Sequence, residues 1–210
     1  MSELPDIIPD GLPDHLPDGE QLLWQGKPDW KRLAINSFHI RKVAIYFTAI
    51  ILAQSAWKLT NGTTFAEALQ VVPKIAGLGC LACAILAAIA FATARTTNYT
   101  LTSKRVLMKV GIALPVIINL PLRQIDGVSF AATGNDCGTV CFKTGGDVRL
   151  AYMLLWPHAM PWQFMKPKPA FRDIPQVEEV ASRLANVLGG QMPVLERQSS
   201  MPEGKMVPAE

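Results

Sequence analysis

IAGLGCLACAILAAIAFATARTTNYTLTSKRVLMKVG, residues 75–111, changes character halfway along, and that change decides the fold. Residues 75–94 carry no charge and match the length, about 20 residues, at which an apolar helix crosses a bilayer. After Arg95 the runs TTNYTLTS and RVLMKVG alternate apolar with polar residues and are rich in β-branched side chains. Such a period of two belongs to strands, so the sequence predicts a membrane helix leading directly into a sheet.

Toward the amino terminus, residues 43–57 (VAIYFTAIILAQSAW) form a second apolar run. It is short for a bilayer unless Ile40 and the flanking Lys and Arg stems extend it by snorkelling. Two such runs bracketed by charges predict a transmembrane hairpin over residues 43–94 rather than two core helices of a soluble protein. Lys27, Lys31, Arg32, Arg41 and Lys42 precede the first run, and Arg95, Lys104, Arg105 and Lys109 follow the second. The loop between them holds only Lys58 and Lys74, so the positive-inside rule puts both termini in the cytoplasm. Asn61-Gly62-Thr63-Thr64 supplies the turn chemistry. On the second span Ala76, Cys80, Ala84 and Ala88 recur every four residues, with Gly79, Cys83 and Ala87 as a parallel row. That small-residue face predicts close packing against the first span or against another protein's helix.

Toward the carboxyl terminus the runs ALPVIINLPL, QIDGVSFAAT, GTVCFKTG and DVRLAYMLLW continue the strand pattern, each bounded by Gly, Pro or Asp. Pro115, Pro121 and Arg123 keep the run around Val116 below spanning length. A proline-rich connection over residues 156–168 precedes IPQVEEVASRLANVL, in which Val177, Val180, Ala181, Leu184 and Leu188 share one helical face. The expected fold class is therefore an α+β membrane protein, a two-helix hairpin plus a cytoplasmic antiparallel β-barrel or sandwich capped by a C-terminal helix. Residues 95–188 make that domain, and residues 189–210 read as a disordered tail.

Residues 1–20 repeat Pro-Asp at Pro5, Pro9, Pro13 and Pro17 and hold six acidic residues with no Lys or Arg. They read as an extended acidic arm that is either solvated or docked on a basic surface. Residues 21–42 read as a cytoplasmic juxtamembrane segment, with Trp24 and Trp30 suited to a membrane interface and Asp29 placed to cap a helix. No basic stripe suggests a nucleic-acid partner. Cys80 and Cys83 form a CxxC, but inside an apolar run they read as small packing residues. His15, His39 and His158 are scattered, no phosphate loop or zinc motif is present, and no catalytic, cofactor or metal residues are assigned, so the chain is read as not an enzyme. His39 lies near enough to the first span to meet a headgroup-level pigment, although an interfacial hydrogen-bonding role is the simpler reading.

Tyr99, Leu101, Thr102, Arg105 and Val106 match the "Y-x-L-T-x-x-R-V" strand pair that opens bacterial membrane-anchored pleckstrin-homology-like domains. Residues 16–47 (LPDGEQLLWQGKPDWKRLAINSFHIRKVAIYF) and 154–175 (LLWPHAMPWQFMKPKPAFRDIP) resemble the PuhB family of photosynthetic complex assembly proteins. The resemblance implies a non-enzymatic assembly factor of the bacterial inner (intracytoplasmic photosynthetic) membrane, without a cofactor of its own. Its implied partners are photosynthetic reaction-centre and core-antenna subunits. An alternative from another class is a membrane-lipid-binding PH-like module, with Lys166, Lys168 and Arg172 as candidate headgroup contacts. A homodimer is also open.

Overall fold

The computed structural model describes residues 16–132, 136–145, 156–158, 168–188 and 196–197. The chain divides into two units, Trp30–Thr93 on one side and Met1–Asp29 with Ala94–Glu210 on the other.

The first unit is helical. Helix α1 (Trp30–Asn36) leads through His39, in the left-handed region at φ 53°, into α2 (Ile40–Thr60). The Asn61–Gly62 turn follows, with Asn61 donating from Nδ2 to the Trp57 carbonyl at 2.7 Å and Gly62 at φ 80°. A capping box, Thr64 with Glu67, starts the short helix α3 (Phe65–Leu69). Its T-x-x-E spacing is the sequence signature of that start. Helix α4 (Val71–Thr96) tolerates Pro73 because it lies in the first turn, where a missing N–H costs no intrahelical bond. Two stretches, Ile40–Thr60 and Phe65–Thr96, are long and apolar enough to cross a membrane. At 1.5 Å per residue α2 alone is about 31 Å long. Ile45, Leu52, Leu78 and Leu81 are each more than half exposed. Apolar side chains facing outward on both helices are the arrangement a lipid solvent favours.

Among its described residues the second unit holds two four-stranded sheets. The first has the order β1 (Leu22–Gly26), β2 (Asn98–Thr102), β3 (Arg105–Val110), β4 (Val116–Pro121), all antiparallel. A 3-10 turn over Leu122–Gln124 leads to β5 (Ile125–Ala132) and β6 (Cys137–Thr144). These join β7 (Ala170–Pro175) and the two-residue β8 (Glu196–Arg197) in the order β7-β6-β5-β8, with β8 parallel to β5. Inward residues of both sheets, among them Tyr99, Leu101, Val106, Met108, Ile118, Leu120, Val140, Phe142 and Phe171, form one core. Burying each large apolar side chain contributes roughly 1.5–3 kcal/mol. Phe171 sits at its centre, stacked on Tyr99 at 4.6 Å and edge-on to Phe142 at 4.9 Å. Helix α5 (Val177–Val187) closes the core with Val177, Val180, Ala181 and Leu184 buried, and Leu188 packs against it.

Strands β2 to β6 and helix α5 lie where the sequence places them. Strand β1 does not: it falls in the segment read as juxtamembrane, yet it pairs with β2 through Gln25 with Thr100 and Gly26 with Tyr99. The helical hairpin is thus inserted between two neighbouring strands of the domain rather than preceding it. Strand β7 is a further addition, and β8 falls within residues read as a disordered tail. The predicted strand over residues 147–156 except Trp156, most of the repeat arm and most of the proline-rich connection lie outside the described residues.

Candidate functional site

Three groups of polar side chains carry the chemistry of the strand unit. The first is buried. His158, read from sequence as a loop histidine, is 1% exposed. Its Nδ1 meets the Tyr99 hydroxyl at 2.6 Å and its Nε2 meets the Thr97 hydroxyl at 3.1 Å. A neutral imidazole has one donor and one acceptor nitrogen, so one hydroxyl at each satisfies it. The Tyr99 oxygen also accepts the Arg172 backbone N–H at 3.3 Å, which ties β2 to β7. Burial, and secondarily the Arg172 charge, pushes the His158 pKa down from 6.5 to about 3. Burial holds the Tyr99 hydroxyl well above its ordinary range. A neutral, enclosed histidine between two hydroxyls is a strut, poorly placed for proton transfer near neutral pH.

A second polar link explains the family-like motif. Glu20 is buried and its carboxylate receives Arg105 at both oxygens, Nε to Oε1 at 3.0 Å and Nη2 to Oε2 at 2.9 Å. Thr102 Oγ1 donates to Glu20 Oε1 at 2.6 Å and accepts the Arg105 backbone N–H at 3.0 Å. Tyr99, Leu101 and Val106 point into the core. Each matched residue therefore has a structural task, while Glu20, read as part of the acidic arm, completes the network.

The third group is an open cleft of about 280 Å³ lined by Lys27, Arg95, Thr96, Asn98, Lys109, Gly111, Ile112 and Pro115. Lys27 follows the last residue of β1, Asn98 pairs with Lys109 across β2 and β3, and Arg95 and Thr96 end α4. Among the described residues, three cations and no acidic residue line this space. Its rim is the β3–β4 turn, where Gly111 adopts φ 110°. A Cβ there would lie 2.2 Å from the Leu114 carbonyl oxygen, so only glycine fits the turn.

The residues singled out from sequence fall differently. Lys166 lies outside the described residues, and Lys168 is half-buried. Arg172 is half-buried on β7, its backbone bonded to Tyr99 rather than presented as part of an open basic cluster. On α4, Gly79 is buried and a Cβ there would lie 2.9 Å from the Phe47 ring, which marks the close approach of α2 and α4. Ala76 is half-buried while Cys80, Ala84 and Ala88 are exposed, so the contact with α2 follows the parallel row, one residue round the helix. Among the described residues no cluster of His, Cys, Asp and Glu has the makings of a metal site. In the sequence Lys27, Arg95 and Lys109 are legible only as charges that orient the hairpin. Their convergence has no local signal, because it joins residues 27, 95 and 109 through strand pairing.

Two four-stranded sheets, antiparallel except for the short β8, closed by a C-terminal helix, with a long apolar hairpin in the same chain, define the class. The chain belongs to the bacterial PH domain family, whose model matches residues 41–188. It is also 41% identical over 173 residues, 80% of this chain and 79% of the relative, to a Rhodobacter capsulatus protein described as an "uncharacterized 23.7 kDa protein in puhA 5′ region". No solved structure matches it.

Proposed function

We propose that this chain is a non-enzymatic assembly factor for the photosynthetic reaction centre and its core light-harvesting complex. In this reading α2 and α4 cross the bacterial inner membrane, and the PH-like unit and both termini lie in the cytoplasm. The observation that carries the proposal is the 41% identity, across four-fifths of the chain, with a protein of the puhA 5′ region. The resemblance of residues 16–47 and 154–175 to photosynthetic assembly proteins supports it, as does the outward-facing apolar surface of the hairpin. Such a hairpin offers nascent membrane subunits a helix surface, and small residues let a partner backbone come close. The buried polar groups described above are occupied in holding strands together, which fits a scaffold rather than a catalyst.

The test is deletion of the gene in its photosynthetic host together with affinity capture of the tagged chain from gently solubilised membranes. Reduced reaction-centre and core-antenna absorbance with unchanged transcripts, and capture of their subunits, is the expected result. Normal complex levels in the deletion strain would overturn the assignment.

A further inference from the structure

We infer that the β3–β4 turn, residues 111–115, inserts Ile112 and Leu114 into the acyl-chain boundary of the cytoplasmic leaflet, with Ile117 following at its edge, and so holds the strand unit to the membrane at a second point beside α4. The inference rests on the reading of α2 and α4 as membrane spans and adds how the strand unit itself meets lipid.

The patch is contiguous. Ile112, Leu114 and Ile117 are 49%, 82% and 39% exposed, Ala113 and Pro115 are exposed between them, and Val116 is half-buried. Single exposed apolar residues are ordinary, but an unbroken run of them marks a surface that meets something apolar. Strand direction says what that is. Strand β2 begins at Asn98, two residues after Thr96 ends α4, so in the spanning reading this end of the sheet lies where the chain leaves the bilayer. Strand β3 is antiparallel to β2 and returns to that end, with Lys109 opposite Asn98. Val110 pairs with Val116, and the turn between them projects beyond this last rung. Arg95 and Thr96 line one cleft with Ile112 and Pro115, so the turn stands beside the end of α4, just past the apolar run that closes at Ala94. The other end of the same strands provides the contrast. There the β2–β3 turn is Ser103-Lys104, and Arg123 is exposed just past β4. Five residue steps along β4 separate the two ends by about 17 Å. Exposed apolar side chains thus gather at the end that α4 feeds, and not at the far one. A protein partner would also suit an apolar turn, but the bilayer is what the chain's own connectivity brings to it. Gly111 at φ 110° and Pro115 fix the backbone of the turn in advance, so insertion orders little more of the chain. An insertion of about 5–10 Å, the depth at which amphipathic segments sit, leaves the backbone of the turn within reach of headgroups and water. With α4 and the turn both held, the strand unit does not swing about the short link at Thr97.

The experiment places a photoreactive benzophenone amino acid at position 114 of the full-length chain, reconstitutes it in phosphatidylcholine vesicles and identifies adducts by mass spectrometry after irradiation. Phosphatidylcholine carries no net charge, so an adduct on its acyl chains reports apolar insertion and not attraction to the basic residues nearby. Acyl-chain adducts are expected from position 114 and none from positions 104 and 123. With the probe moved to position 112, Leu114→Asp should abolish the adduct, because a carboxylate is expelled from hydrocarbon, and Arg123→Asp should leave it. Unchanged thermal unfolding of each variant keeps the comparison valid. Absence of acyl-chain adducts at position 114, or equal yields at 114 and 123, would overturn the inference. So would a protein adduct in place of lipid when the same probe is irradiated in native membranes, which would make the turn a subunit-docking surface. Extraction with alkaline carbonate tests the spanning reading by itself. A chain that resists extraction yet gives no lipid adduct at position 114 keeps its spans and loses the inserted turn, whereas release by carbonate removes the spans on which the inference rests.

Discussion

His158 shows how much one side chain can owe to its surroundings. Its ring sits between the Tyr99 and Thr97 hydroxyls with almost no exposure. In the unfolded chain it takes up a proton near its ordinary value of 6.5, but in the fold only near 3. Between those values the unfolded state holds more protons, so this contribution to stability is complete above about pH 6.5 and is lost as pH falls toward 3. The slope is about 1.4 kcal/mol per pH unit. His158→Ala should remove that slope and, by stranding two buried hydroxyls, cost about 3 kcal/mol at pH 7.5. Denaturant unfolding followed by tryptophan fluorescence at pH 7.5 and 5 separates the two effects. A variant as pH-sensitive as wild type would mean that other groups govern the acid limb.

At the scale of elements, the α2–α4 contact has a specific requirement for glycine. Gly79 faces Phe47 so closely that a Cβ would lie 2.9 Å from the ring, while a Cβ on Gly77 meets nothing within 4 Å. Gly79→Leu should therefore destabilise the hairpin by about 2–3 kcal/mol through overpacking. Gly77→Leu, one turn-half away, should leave thermal unfolding of the helical signal in detergent unchanged. Equal effects of the two substitutions would show that the helices do not meet at Gly79. The small-residue pattern was legible in the sequence, but not which of its two neighbouring rows the partner helix uses. Rows one residue apart have almost the same composition, and only the packed rotation of α4 distinguishes them.

At the scale of the whole molecule the unexpected feature is insertion. Strands β1 and β2 are hydrogen-bonded neighbours, with Gly26 opposite Tyr99, yet 71 residues lie between Gly26 and Asn98, the hairpin among them. The ends that flank the hairpin therefore lie close enough for a loop of about five residues to join them. Replacing residues 30–93 with such a loop should give a soluble PH-like unit that unfolds cooperatively. The same unit without residues 16–29 should fail to do so. It would lose β1, the Glu20–Arg105 pair, and the Leu23 carbonyl that accepts Arg183 Nη1 at 2.7 Å from α5. Circular dichroism and denaturant melts of the two versions decide this. Equal cooperativity would show that the amino-terminal strand is dispensable.

Local pattern encodes two apolar runs of near-spanning length, the alternation of β2 to β6, and the buried face of α5. Each is written in a period or a length within one stretch of chain. Tertiary structure decided the rest. Strand β1 is half-buried along most of its length and carries an irregularity between Leu22 and Trp24, which blurs its alternation. Strand β7 loses its period at Asp173, which adopts φ 49°. The burial of Glu20, the enclosure of His158 and the convergence of Lys27 with Lys109 all join residues more than fifty positions apart. Such contacts arise from strand order and register, and strand order is fixed when the core closes around Phe171 rather than within any one segment.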